Sequence, residues 1–248
     1  MDVYEQMAER VTRSRYAIAL TGAGISVESG IPDFRSTNGL WAKYDPVEFA
    51  YIESFRANPA KVWKMLVELD EILLRAKPNG AHLALAELEK RGILRAVITQ
   101  NVDSLHQRAG SRVVVEFHGN NRALRCDGCG RVFHREAVSL HSLPPRCACG
   151  SALRPDLVFF GEAIPADAYN QALAAAEKCD FMLIVGTSAS VAPASQLPLL
   201  AKRKGAFLLE INPLASELTH RLTDLRIAEP AGIALPAILT AIDSKEHS

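Results

Sequence analysis

Two rhythms of apolar and polar positions alternate along this chain. Tyr4, Met7, Ala8 and Val11 fall at helical spacing and predict an amphipathic first helix. Residues 16–20 form a short apolar run and predict a first strand. Val62, Met65, Leu66, Leu69 and Leu73 share one face of a helix expected over 59–76, with Pro59 suited to its first turn. A helix over 81–91 stops at Gly92. The β-branched run 96–99 predicts a buried strand, followed by a short helix near 104–109 closed by Gly110 and a strand over 113–117. From 120 to 155 the periodicity collapses. It returns with an apolar run over 157–160 and a helix over Ala166–Lys178. A strand over Phe181–Val185, a helix over 198–204, a strand over 206–211 and a helix over 233–242 complete the chain. Strands alternating with helices predict an α/β fold, a parallel sheet with helices on both faces. The expected division is a large domain of residues 1–33, 79–119 and 155–248, a helical insertion over 34–78, and a cysteine-bearing module over 120–154. The two insertions are expected to pack together as a smaller lobe.

Composition narrows the class. Apolar residues make up 48% of 248, enough for a sizeable core. Lys plus Arg and Asp plus Glu both count 28, and this balance argues against a protein whose main work is holding nucleic acid. The first fifteen residues lack the pattern of a secretory signal, and no apolar run approaches the ~18 residues needed to span a bilayer. A soluble, intracellular, cytoplasmic protein is expected. Five cysteines, four of them between positions 126 and 149, suggest a metal site and not a disulfide framework.

Candidate chemistry gathers at strand ends. Gly22-Ala23-Gly24-Ile25-Ser26 follows the first strand directly, the place where a Rossmann-type fold receives a pyrophosphate at the next helix N-terminus. The third glycine of the usual dinucleotide fingerprint would fall on Val27, so a plain tight turn explains Gly22 and Gly24 equally well. The loop Ser29-Gly30-Ile31-Pro32-Asp33-Phe34-Arg35-Ser36 sets an aromatic beside a cation. It reads as a lid with an anion partner, or as a surface loop with one buried anchor. Thr99-Gln100-Asn101-Val102-Asp103 and Phe117-His118-Gly119 end two further strands. Ligands bind beyond the carboxyl ends of parallel strands, so an amide, a carboxylate and an imidazole would meet at one crevice, with His118 as its base. Cys126-x2-Cys129, then seventeen residues, then Cys147-x-Cys149 is close to a zinc-ribbon pattern, with glycines alongside for tight knuckles. Four thiolates fill a tetrahedron, so one structural zinc is expected. Cys179 lies outside the module and reads as a buried helix residue. Arg122, Arg125, Arg131 and Arg135 give the module positive charge, read as a solvated face, with a zinc-borne binding module as the competing possibility.

These motifs, together with Gly186-Thr187-Ser188, resemble in their order those of the sirtuins, NAD-dependent protein lysine deacylases, over about residues 15–240. The resemblance implies a Rossmann-type large domain and a small zinc-bearing one, with NAD and an acyl-lysine peptide between them. It implies a cofactor-binding set of Gly22, Ala23, Gly24, Asp33, Phe34, Arg35, Gln100, Asn101, Val102, Asp103, Gly186, Thr187, Ser188 and Asn212. Catalytic roles would fall to His118 as general base, with Asn101 and Asp103 positioning ribose and carboxamide. Val158, Phe160, Gly161, Glu162 and Val191 would bind the substrate peptide by strand addition, Val158 and Phe160 lining the acyl-lysine tunnel. Family members that prefer acidic acyl groups carry Tyr and Arg three apart on the helix after Pro59. Leu66 and Leu69 stand there in this chain, which implies neutral acyl groups, acetyl first. Mono-ADP-ribosyl transfer is the alternative activity. Direct nucleic-acid binding and membrane association are not expected.

Overall fold

The computed structural model describes residues 2–34 and 39–246. Its strands are β1 (Ala17–Thr21), β2 (Leu94–Thr99), β3 (Val114–Glu116), β4 (Gly119–Cys126), β5 (Val132–His134), β6 (Leu153–Leu157), β7 (Phe181–Val185), β8 (Phe207–Ile211) and β9 (Leu225–Ile227). Its α-helices are α1 (Val3–Thr12), α2 (Leu40–Lys43), α3 (Pro46–Phe49), α4 (Ile52–Ala57), α5 (Pro59–Arg75), α6 (Gly80–Lys90), α7 (Leu105–Ala109), α8 (Ala166–Lys178), α9 (Gln196–Arg203) and α10 (Ala231–Glu246).

Six strands form one sheet in the order β3-β2-β1-β7-β8-β9, every pair parallel. Side chains alternate between its faces. Ala17 and Ala19 of β1, with Leu183 of β7, pack under α1, α6 and α10. Ile18 and Leu20, with Ile184, pack under α8 and α9. Burial on both faces explains why these strands read as unbroken apolar runs. Each fully buried Leu or Ile contributes roughly 2 kcal/mol of transfer free energy. The chain winds from β1 out to β3, then returns to β7 on the other side of β1. The direction reverses between β1 and β7, and a crevice opens at their carboxyl ends.

A second sheet, β5-β4-β6, is antiparallel. Its Leu124, Cys126 and Leu153, with Cys147 from the second cysteine pair, share one core with Leu40, Ile52, Phe55, Val62 and Trp63 of the helical insertion. The Trp63 indole N–H donates to the Leu153 carbonyl at 2.7 Å. Residues of the two insertions thus share one apolar core. Three sequence expectations shift. The boundary placed at residue 155 falls inside β6, because Leu153–Leu157 pairs with β4 and not with the large sheet. The run 157–160 is therefore the end of β6 and an extended segment. The segment after Gly22 is a 3-10 helix over Ala23–Ser29, because the turns after β1 and β7 touch.

Candidate active site

The carboxyl ends of β1, β2, β7 and β8 form one wall of a cleft of about 530 Å³, the size of an ordinary small-molecule site. The small lobe supplies the facing wall. Gly22, Ala23, Gly24, Gln100, Asn101, Val102, His118, Gly186, Thr187, Ser188 and Asn212 line the sheet side. Asp33, Phe34, Val158, Phe160, Gly161, Glu162 and Val191 line the rest. Among the described residues one expected member of this wall, Asp103, is missing from it. Arg35 lies outside the described residues. Asp103 is buried behind the wall, because its side chain is taken up by the Ser26 hydroxyl at 2.7 Å and the Leu105 N–H at 2.9 Å. Burial pushes its carboxyl above the usual range, against the pull of those two donors.

The glycines serve close approach more than anion capture. A Cβ on Gly24 would stand 2.7 Å from the Gly186 Cα, and one on Gly186 would stand 2.3 Å from the Ile25 nitrogen. The N–H groups of Gly22 and Gly24 donate to the carbonyls of Val185 and Gly186. The expected cradle of free N–H groups is therefore narrower than the helix-terminus reading requires, because two of its donors bind the neighbouring turn.

Polar side chains are fixed from behind. The Asn101 amide nitrogen donates to the Gly22 carbonyl at 3.1 Å and the Ser26 hydroxyl at 3.2 Å, leaving Oδ1 as the atom available to a ligand. Ser26 passes its own proton to Asp103, so the carboxylate orients the amide through a hydroxyl. Gln100 Nε2 donates to the Thr187 hydroxyl at 3.0 Å, and Asn212 Nδ2 to the Thr187 carbonyl at 3.2 Å. His118 Nδ1 lies 3.2 Å from the Gln100 carbonyl, which can only accept. Nδ1 therefore carries the proton, and Nε2 holds the free lone pair. Burial pushes the imidazole below its ordinary value, so it is neutral at pH 7.

Apolar residues outside the motifs complete the cleft, Leu66 and Leu69 among them at the positions the resemblance singles out. Met65, Leu66 and Leu69 of α5, Phe49, Ala50, Trp41 and Ile164 all face it. The helical periodicity of α5 was the available signal: its apolar stripe is wide enough to serve both core and cleft. Trp41 packs against Phe34 in a tilted contact with ring centres 5.3 Å apart.

The cysteine module meets the test for zinc. All four Sγ atoms lie within 4.8 Å of one another, with Cys126–Cys149 at 3.4 Å and Cys129–Cys147 at 3.7 Å. Zinc–sulfur bonds of about 2.3 Å in a tetrahedron need sulfurs roughly 3.8 Å apart. Gly130 and Gly150 take left-handed φ of 72° and 88° directly after Cys129 and Cys149, where the knuckles turn.

The Sir2 family model matches residues 22–193. NAD-dependent protein deacylase 1 of Archaeoglobus fulgidus is 46% identical over 92% of this chain and 93% of its own. The NAD-dependent protein deacylase of Thermococcus kodakarensis is 47% identical over 95% and 94%. A mutant Sir2 homologue solved with ADP-ribose superposes with a TM-score of 0.94 at 42% identity, covering 100% of this chain and 98% of that one. A Sir2 homologue solved with NAD gives 0.90 at 43% identity over 98% and 95%. Fold and similarity agree, and the chain is a member of the Sir2 family.

Proposed function

We propose that this chain is an NAD-dependent protein lysine deacylase whose general base is His118. The observation that carries the reading is the His118 imidazole, held neutral with Nε2 unprotonated in the wall of a cleft at the β1–β7 reversal. The cleft's volume and its amide and hydroxyl groups fit a dinucleotide. Bound NAD supplies a nicotinamide leaving group and an ADP-ribose acceptor for the acyl group. Gln100 and Asn101 orient the ribose and carboxamide, and Thr187, Ser188 and Asn212 hold the adenosine half. Gly22, Ala23, Gly24 and the Asp33–Phe34 end of the loop face the diphosphate and nicotinamide. The His118 Nε2 would take a ribose hydroxyl proton, so that this oxygen could bond to the acyl carbon while the acyl–nitrogen bond breaks and the lysine amine leaves. Asp103 acts through Ser26 and Asn101 and does not touch the ribose. Val158 and Phe160 line the acyl-lysine tunnel, and the segment over 158–162 pairs with the peptide opposite the loop at Val191. One zinc, bound by Cys126, Cys129, Cys147 and Cys149, holds the module together.

Leu66 and Leu69 both face the cleft and offer no cation, so neutral acyl groups are the substrates, acetyl first. Arg122 pairs with Glu116, Arg125 with Asp156 and Arg135 with Asp70, which leaves little of the module's positive charge for nucleic acid. Among the described residues no helix is long and apolar enough to cross a membrane. The reading places the protein in the cytoplasm, acting on acyl-lysine proteins. Incubation with NAD and acetyl-, succinyl- and longer acyl-lysine peptides, with products identified by mass, is the test. Free lysine peptide with O-acyl-ADP-ribose is expected. ADP-ribose attached to the peptide would instead establish the transferase reading.

A further inference from the structure

Glu162 borders the cleft, yet its carboxylate is bound in a fork by Arg154. Nη1 donates to Oε2 at 3.1 Å and Nη2 to Oε1 at 2.8 Å. Arg154 lies on β6 and is 9% exposed, so this is a charge pair largely withdrawn from water. The same two side chains take up the backbone between them. Arg154 Nη1 also donates to the Leu157 carbonyl at 3.1 Å, and Glu162 Oε2 accepts the Phe159 N–H at 3.0 Å. The guanidinium sits 5.6 Å from the Phe159 ring centre. At its far edge Arg154 Nε lies 3.5 Å from Asp127 Oδ1, in the first cysteine knuckle, and Arg56 approaches the other Asp127 oxygen at 3.3 Å. Phe160, between the pinned points, gives its N–H to the Ala50 carbonyl and its carbonyl to the Ile52 N–H.

We infer that Arg154 and Glu162 are positioning residues, whose fork presets residues 157–162 in the extended form that an acyl-lysine peptide pairs with. Asp127 ties that form to the cysteine module. The inference rests on the deacylase reading and corrects one part of it: the Glu162 side chain serves the segment's shape and not the peptide. A segment already ordered spares the peptide the entropy of ordering it. Removing one member of the pair leaves a buried charge without its partner and strands one backbone group, the Leu157 carbonyl when Arg154 goes and the Phe159 N–H when Glu162 goes.

The test uses zinc-loaded Arg154→Met, Glu162→Gln and the double variant. Hydrogen exchange is followed over 157–162, alongside KM for an acetyl-lysine peptide and for NAD. In each single variant the Phe159 amide is expected to exchange at least about tenfold faster than in wild type. KM for the peptide is expected to rise about tenfold, with KM for NAD changed less than about twofold. The double variant is expected to be no worse than Arg154→Met, since no unpaired charge remains. Unchanged exchange in both single variants overturns the inference, as does a parallel rise in both KM values. Should Arg154→Met fail to fold, Glu162→Gln carries the same readouts. Should wild type fail to deacylate, the proposed function falls while the exchange rates still decide the clamp.

Discussion

His118 can act as a base only while its imidazole is neutral. Its folded pKa lies below 6.5 because burial disfavours the cation. Activity is therefore full above that value and falls as pH drops through it, and the acid limb of kcat/KM is expected below pH 6.5. A limb centred above neutrality would show that another group supplies the base. His118→Ala is expected to lower deacylation at least about 100-fold while calorimetric NAD binding stays within a few-fold. Leu66→Tyr with Leu69→Arg is expected to raise desuccinylation relative to deacetylation by about tenfold or more, by giving a carboxylate a partner. An unchanged ratio removes α5 from the acyl wall. At this scale the sequence displayed polar residues that line or back the cleft but not their facing. Asn101 and Asp103 stand two apart in one motif. Only the position of Ser26, brought in from the turn after β1, turns the amide to the cleft and the carboxylate to the core.

Among the elements, β7 was legible to the residue because both of its faces are buried, which leaves an unbroken apolar run. β4 was hidden, since its first half carries Asn120, Asn121 and Arg122 and no alternation. β9 has three residues and a mixed pattern, too short for a period to register. Polar pairs that join distant elements left no trace. His82 of α6 and His106 of α7 lie with ring centres 4.9 Å apart and planes inclined at 58° within the core. His82 Nδ1 accepts the Asn79 N–H, and His106 Nε2 meets the Thr21 hydroxyl. Burial depresses them to about 4 and about 3, from an unfolded value of 6.5. Their neutral forms favour the fold above pH 6.5, and that stability is lost as pH falls toward the folded values. Each histidine is expected to cost about 1.4 kcal/mol per pH unit in that window. Urea unfolding at pH 7, 6 and 5 measures the slope, and a flat profile would contradict it. Gly186→Ala is expected to destabilise by about 3 kcal/mol, seen in the same unfolding assay, because its Cβ would strike the Ile25 nitrogen at 2.3 Å with φ of 59°. Wild-type stability in that variant would mean the two turns can separate without cost.

For the molecule as a whole, the large sheet was readable because alternation of strand and helix is a long-range pattern. The small lobe was readable through its cysteines and the apolar stripe of α5, while its strands were not. Elemental analysis is expected to give one zinc per chain, and Cys147→Ser to lose it. Cys126 and Cys147 pack in the same core as Trp63, so metal loss is expected to shift tryptophan emission and expose that core. Zinc-free protein with unchanged emission and exchange would show the metal to be dispensable to the lobe.

The shared core of the small lobe bears on how such enzymes can be recombined. Residues of α4 and α5 interlock with β4 and β6, although some fifty positions of chain separate α5 from the cysteine knuckles. A chimera that imports another protein's acyl wall through α5 alone would set foreign side chains against native ones. The helical segment and the cysteine ribbon are therefore expected to transplant only as a two-piece cassette, and a graft that moves one without the other would begin from a mispacked core.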